Sequence, residues 1–193
     1  MQADFSVELG RDDETLEIPW SSPDAEPRYY DLKRHPECLR FVEEATRVPE
    51  LAEFLAAANA LTSIWETAKC DCWATTEINP EEEIFGAPWK FGSYADLVLT
   101  NAPSRFSFTE HESLLKTLIK SLQEGPEIRA SAEFFLRRCF FHDSDGGREG
   151  LYITFYLFGF GTDETEGRQQ WAIALKLVGN ALTMLSAQAS ATS

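Results

Sequence analysis

Positive charge, histidine and catalytic signatures are what this sequence is short of. Seventeen Lys and Arg face 32 Asp and Glu, a formal net charge of −15. In the first 31 residues nine acids stand against Arg11 and Arg28 alone. A surface of this sign repels phosphate backbones and anionic lipid, so direct binding of nucleic acid or of a membrane surface is disfavoured; a basic protein partner would be steered in. Three histidines are few for acid–base work, and His111, set in the first turn of an expected helix, is expected to be exposed. No Gly-x-Ser-x-Gly, Walker or dinucleotide-binding signature occurs. Gly159-Phe-Gly161 lacks the glycine and helix context of a phosphate loop, and Asp143-x-Asp145-Gly146 lacks the later ligands of a calcium loop.

Cysteine is sparse too. Of the four, Cys70-Asp71-Cys72 is the one close pair, and on a strand such thiols project in parallel roughly 6.5–7 Å apart, too far to share one zinc ion. We therefore expect reduced thiols packed as small hydrophobes, no metal and no cofactor. A secretory leader is missing as well: Met1-Gln-Ala-Asp-Phe-Ser has no basic region followed by an apolar stretch. The longest apolar stretch, Trp171 to Ala187, carries Lys176 and Asn180 and reads as too short and polar for a bilayer span. A cytoplasmic location is the expectation.

What is present is core material. At 193 residues and 44% hydrophobic, with 14 Phe and five Trp, the chain suits one domain over 1–188, with a tail at 189–193 that frays. Phe5, Val7 and Leu9 alternate with polar residues as a half-buried strand does, and Leu16/Ile18 read as its return strand after a turn at Arg11–Glu14. Pro36 suits the first turn of a helix. A second helix begins at Pro49, with Leu51, Phe54, Leu55, Ala58 and Leu61 as its apolar stripe. The period then changes to two over Thr67–Ile78 and again over Trp89–Thr100. Thr109-Glu-His-Glu112 has capping-box spacing ahead of a helix whose core face is Leu115, Leu118, Ile119 and Leu122, and Gly125-Pro126 ends it. Ile128–His142 and Leu151–Gly161 read as a long hairpin turned by Asp143–Gly147. Asp163 is the expected N-cap of the last helix.

This order predicts an α+β fold: an antiparallel sheet of about five or six strands, three or four helices mainly on one face, repeated ββα units and a long C-terminal helix. In outline it resembles the helix-grip ligand binders, from which the helix at 110–124 departs.

Two features point toward function. In the last helix Ala172, Gly179 and Ser186 recur every seven residues, a row on which another helix can approach closely, either within the core or across a homodimer. The hairpin is aromatic on both faces, so helices on one face leave an apolar patch on the other. Arg129 and Arg137 share a side with Phe135, and with Tyr156 and Phe158 they make a candidate site for an apolar or anionic ligand. The first functional expectation is a non-enzymatic interaction protein with an acidic surface, dimeric through that row. The second is a pocket between the sheet and the C-terminal helix that binds a small molecule, conceivably with catalysis; it requires a cavity above about 300 Å³ along Phe135, Tyr156 and Phe158.

Overall fold

The structure, a computed structural model, describes residues 1–10, 15–19, 29–143 and 146–191. Its frame is a six-stranded sheet in the order β1-β5-β6-β4-β3, formed by Gln2–Glu8 (β1), Trp65–Thr75 (β3), Trp89–Leu99 (β4), Ala130–Asp143 (β5) and Gly146–Gly161 (β6), with Leu16–Ile18 (β2) also on β5. The β5–β6 hairpin lies at its centre, paired from Ala130↔Gly159 to Asp143↔Gly146. The middle of the expected turn, Ser144 and Asp145, lies outside the described residues. So does the turn expected at Arg11–Glu14.

The sheet is mostly antiparallel, as expected, and mixed at one edge. β1 and β2 form no hairpin with each other. Both run parallel to β5 along one edge, Gln2↔Ser131 to Glu8↔Arg137 and then Leu16↔Cys139 to Ile18↔Phe141. The first ββα unit therefore departs from the other two, β3–β4 followed by helix and β5–β6 followed by helix.

Helices Pro49–Ala58 (α2), Phe108–Gln123 (α4) and Glu164–Ala191 (α5) cover one face, with α5 between the other two. A 3₁₀ turn at Pro36–Phe41 and the short helix Glu43–Arg47 (α1) lead into α2, with Pro36 and Pro49 each in a first turn. Leu51, Phe54, Leu55 and Ala58 are buried as the stripe predicts, but Leu61 lies beyond the helix and is 85% exposed. Where the chain leaves α2, Lys33 Nζ donates to the carbonyls of Ala60, Ser63 and Trp65 at 2.8, 2.9 and 2.8 Å, closing the corner into β3. The cap of α4 is Ser107, whose hydroxyl accepts from Glu110 N–H, and not Thr109. His111 lies four residues before Leu115 and so on the same helix face: it is fully buried, donates from Nδ1 to Ser107 O at 2.9 Å, and burial holds its pKa below the usual range.

Asp163 caps α5 as expected, Oδ1 accepting from Glu166 N–H at 2.8 Å. The helix runs 28 residues to Ala191, through most of the tail expected to fray; 192 and 193 lie outside the described residues. At that length α5 meets the length and composition of a membrane span, unlike the shorter stretch judged from sequence. Here its apolar side goes to the sheet: Trp171, Leu175, Val178, Leu182 and Leu185 are all buried.

Glycine sets how close α5 comes. A Cβ on Gly159 would fall inside the envelope of the Trp171 backbone nitrogen and the Gly167 carbonyl, and one on Gly161 would meet Gly167 N. The first turns of the helix thus lie directly on the backbone of β6. Gly179 is different: an added Cβ would stand 3.5 Å from Phe54 of α2, an ordinary contact. Gly159→Ala should therefore lower stability by at least about 2–3 kcal/mol, because backbone must move to admit the methyl. Gly179→Ala should be neutral or stabilise by up to about 1 kcal/mol, the helix-propensity gain. Denaturant unfolding of the two variants measures both, and equal effects would contradict this packing.

Candidate functional site

Because side chains alternate along a strand, the face turned away from α5 is fixed by register. It carries Tyr94, Asp96 and Val98 of β4, Tyr152, Thr154, Tyr156, Phe158 and Phe160 of β6, and Glu133, Phe135, Arg137, Cys139 and Phe141 of β5. Asp4, Ser6 and Glu8 of β1 continue it at one edge, and Asp71 and Trp73 of β3 at the other.

Both ends of this face are closed. At one, a 3₁₀ turn at Pro80–Phe85, held by a capping box between Asn79 and Glu82, folds over the sheet. Phe85 stacks on Phe160 with centroids 4.1 Å apart, and Lys90 Nζ pairs with Glu82 at 2.7 Å, both side chains nearly buried. At the other end Phe106, just past the short helix Ala102–Arg105 (α3), packs edge-on against Phe141. Leu16, Ile18, Val98, Cys139, Phe141 and Tyr152 form a small second core there.

Between the closed ends lies a cavity of about 390 Å³ lined by Tyr94, Asp96, Tyr152, Thr154, Tyr156, Arg137, Lys69, Glu8 and Leu16. Asp96 is its least expected member. It is 4% exposed and accepts from the Thr154 hydroxyl at 2.6 Å. Burial pushes its pKa up to about 6, against the lowering influence of Thr154, Lys69 and Arg137. Tyr94 and Tyr152 also have raised pKa values, by burial first and then by Asp96, so both phenols keep their protons as donors. Arg137 is held by Glu8, through Nε and Nη2 at 2.8 Å each, and lies over the Phe135 ring. Lys69 sits in a β-bulge of β3 between Thr67 and Cys70, and with Tyr94 it also lines a second cavity of about 650 Å³ at the β3 edge. A carboxyl titrating near neutrality, ringed by phenols, can accept a hydrogen bond from a ligand or exchange a proton with it.

The residues named from sequence are only partly brought together. Phe135, Tyr156 and Phe158 do share the helix-free face, and Arg137 joins them. Arg129 does not. It pairs with Glu166 of α5 at 3.7 Å, and its backbone N–H donates to Gln170. Around Gly159 and Gly161 the sheet and α5 lie in direct contact; a cavity of about 500 Å³ opens at the far end of α5, among Leu99 of β4, Leu114 of α4 and Ala189 and Ser190 of α5. The cavity that holds Phe135, Tyr156 and Phe158 measures about 250 Å³, below the expected minimum, and the larger one begins a step along the face, sharing Tyr156. Ala172, Gly179 and Ser186 lie within the chain's own packing. Gly179 faces Phe54, Ser186 is buried and accepts from Ile64 N–H, and Ala172 is half-buried against the core. The thiols of Cys70 and Cys139 are pushed up to about 12 by burial. Among the described residues no group of three His, Cys, Asp or Glu is placed to hold a metal ion.

Sequence reading missed Asp96, Tyr94, Tyr152 and Thr154. The signal for Asp96 was there: it is the one charge in the run Ala95–Leu99, which is otherwise apolar. No protein-family model, no curated protein and no solved structure matches the chain.

The raised pKa gives a signed expectation for stability. The folded state holds the Asp96 proton more tightly than the unfolded chain, whose carboxyl titrates near 3.8. Its contribution is thus most favourable below that value and is lost as pH rises through about 6. Asp96→Asn keeps an acceptor for Thr154 and removes the buried charge. It should stabilise the protein by roughly 2–3 kcal/mol at pH 7.5, with the gain vanishing toward pH 4. Thermal melts of both proteins across that range measure this, and a variant less stable at pH 7.5 would show that the carboxylate holds the fold.

Proposed function

We propose that the protein is a small-ligand-binding domain whose site is the 390 Å³ cavity on the helix-free face of the sheet. The observation that carries this is Asp96, a carboxyl buried in the wall of a cavity, where it accepts from the Thr154 hydroxyl and where burial outweighs the influence of Lys69 and Arg137. A buried carboxyl costs stability unless something compensates it, and natural sequences keep such costs where they serve a site. The volume falls within the range of ligand pockets, and phenolic hydroxyls with aromatic walls supply the mixture of polar anchors and apolar surface such pockets use. Four unpaired cysteines support a cytoplasmic setting for it.

The alternative, an acidic protein that recruits a basic partner or a second copy of itself, has the net charge in its favour. Of the row Ala172, Gly179 and Ser186, Gly179 faces Phe54 and Ser186 accepts from Ile64 within the chain, while Ala172 and Gly179 are half-buried.

Screening a general fragment library by amide chemical-shift mapping tests the site. Hits should move the resonances of Tyr94–Val98 and Thr154–Tyr156, and Tyr156→Ala should weaken them by about tenfold, the equivalent of about 1.4 kcal/mol. Hits confined to the helical layer, or none at millimolar concentration, would overturn the reading.

A further inference from the structure

Resting on that reading, we propose that the ligand is an elongated aliphatic di- or polyamine, lying across Tyr156 with one ammonium at Asp96 and another at Glu133. Tyr156 pairs with Tyr94 on one side and with Glu133 on the other, and it lines both the 390 Å³ and the 250 Å³ cavities. The two carboxyls thus lie on either side of one phenol ring. Two strand spacings and two residues of rise put their Cα atoms roughly 12 Å apart.

The chemistry at each end favours a cation. Asp96 gives one oxygen to Thr154, and a carboxylate has acceptor sites for further donors. Burial outweighs every charge that the protein sets beside it, so a ligand ammonium supplies what the pocket does not. At the other end Glu133 is raised by burial first and then by Glu82, Glu81 and Asp4, against the lowering influence of Lys90. The Tyr156 ring beside them offers apolar surface for methylenes and a π face for an ammonium, while Phe135 and Phe158 already carry Arg137 and Lys90 over their rings. Of the two cations in the cavity wall, the Arg137 guanidinium is already bound to Glu8 and Lys69 lines the same space, so succinate is the probe that asks whether they draw an anion instead.

Titration calorimetry with spermidine, butylamine, 1,4-butanediol and succinate tests this. Spermidine should bind at least tenfold tighter than butylamine. Asp96→Asn and Glu133→Gln should each weaken spermidine tenfold or more, while Glu112→Gln, on the far helical layer and paired with Lys116, should leave it unchanged. Equal losses in all three variants, or none in the first two, would reduce binding to diffuse counterion attraction and overturn the proposal. Binding of the diol or the dianion that depends on Asp96 would overturn the polyamine and leave the cavity as a ligand site. If no probe binds, the polyamine falls; a blank fragment map as well would remove the site itself.

Discussion

The direct seating of α5 on the backbone of β6, through Gly159, Gly161 and Gly167, is the constraint from which the remaining arrangement follows. With no Cβ between them, helix and strand approach closely enough for Trp171 to enter the core beside Phe91 and to donate its indole N–H to Ser93 of β4 at 2.8 Å. One bulky ring thereby ties the terminal helix to the middle of the sheet. The helix can then carry α2 on one flank and α4 on the other, the first joined by an ion pair between Glu50 and Arg168 at 2.7 Å. The three helices thereby form one layer on that side of the sheet.

The opposite face is finished differently at its ends and at its centre. The stacked Phe85 and Phe160 with the buried Lys90–Glu82 pair close one end, and the Phe106–Phe141 contact closes the other, as a satisfied core does. In the centre the residues are phenols, a threonine, an arginine and a carboxyl, and they leave a cavity. The contrast lies within single strands. β4 runs from the paired Lys90 through Tyr94 and Asp96 to buried Val98, all on the same side. A face whose only task was to shed water would have no use for a desolvated carboxyl at its middle.

Local signals in the sequence were legible and nonlocal ones were not. The long hairpin, the Asp163 cap, the apolar stripes of α2 and α4 and the presence of a long last helix all come from residues a few positions apart, where turn chemistry and periodicity act directly. The pairing of β1 with β5 joins residues more than a hundred positions apart, as Glu8 and Arg137 show, and alternation says nothing about which neighbour a strand takes. The cap of α4 moved by two residues because Ser107 and Thr109 offer the same hydroxyl, and His111 was judged from its place in the first turn although its spacing to Leu115 puts it on the buried face. Of the site, Arg137, Phe135 and Tyr156 were found as aromatic and charged positions on one strand face. Asp96 escaped because a single acid in a buried run was read as part of the strand, and Arg129 misled because parity along a strand says nothing of a residue beyond its end.

The parallel placement of β1 and β2 along β5 also bears on how the chain reaches this state. The β5–β6 hairpin needs only a short loop to close, whereas the two N-terminal segments must return across most of the sequence, at an entropic cost that grows with separation. Until they dock, one side of a long, phenylalanine-rich strand is left with unmet hydrogen bonds, a template for other chains. The N-terminal segments therefore act as a sealing strip for the sheet, and the acids they carry, Asp4 and Glu8 among them, put like charge along the outer margin where two unsealed molecules would meet.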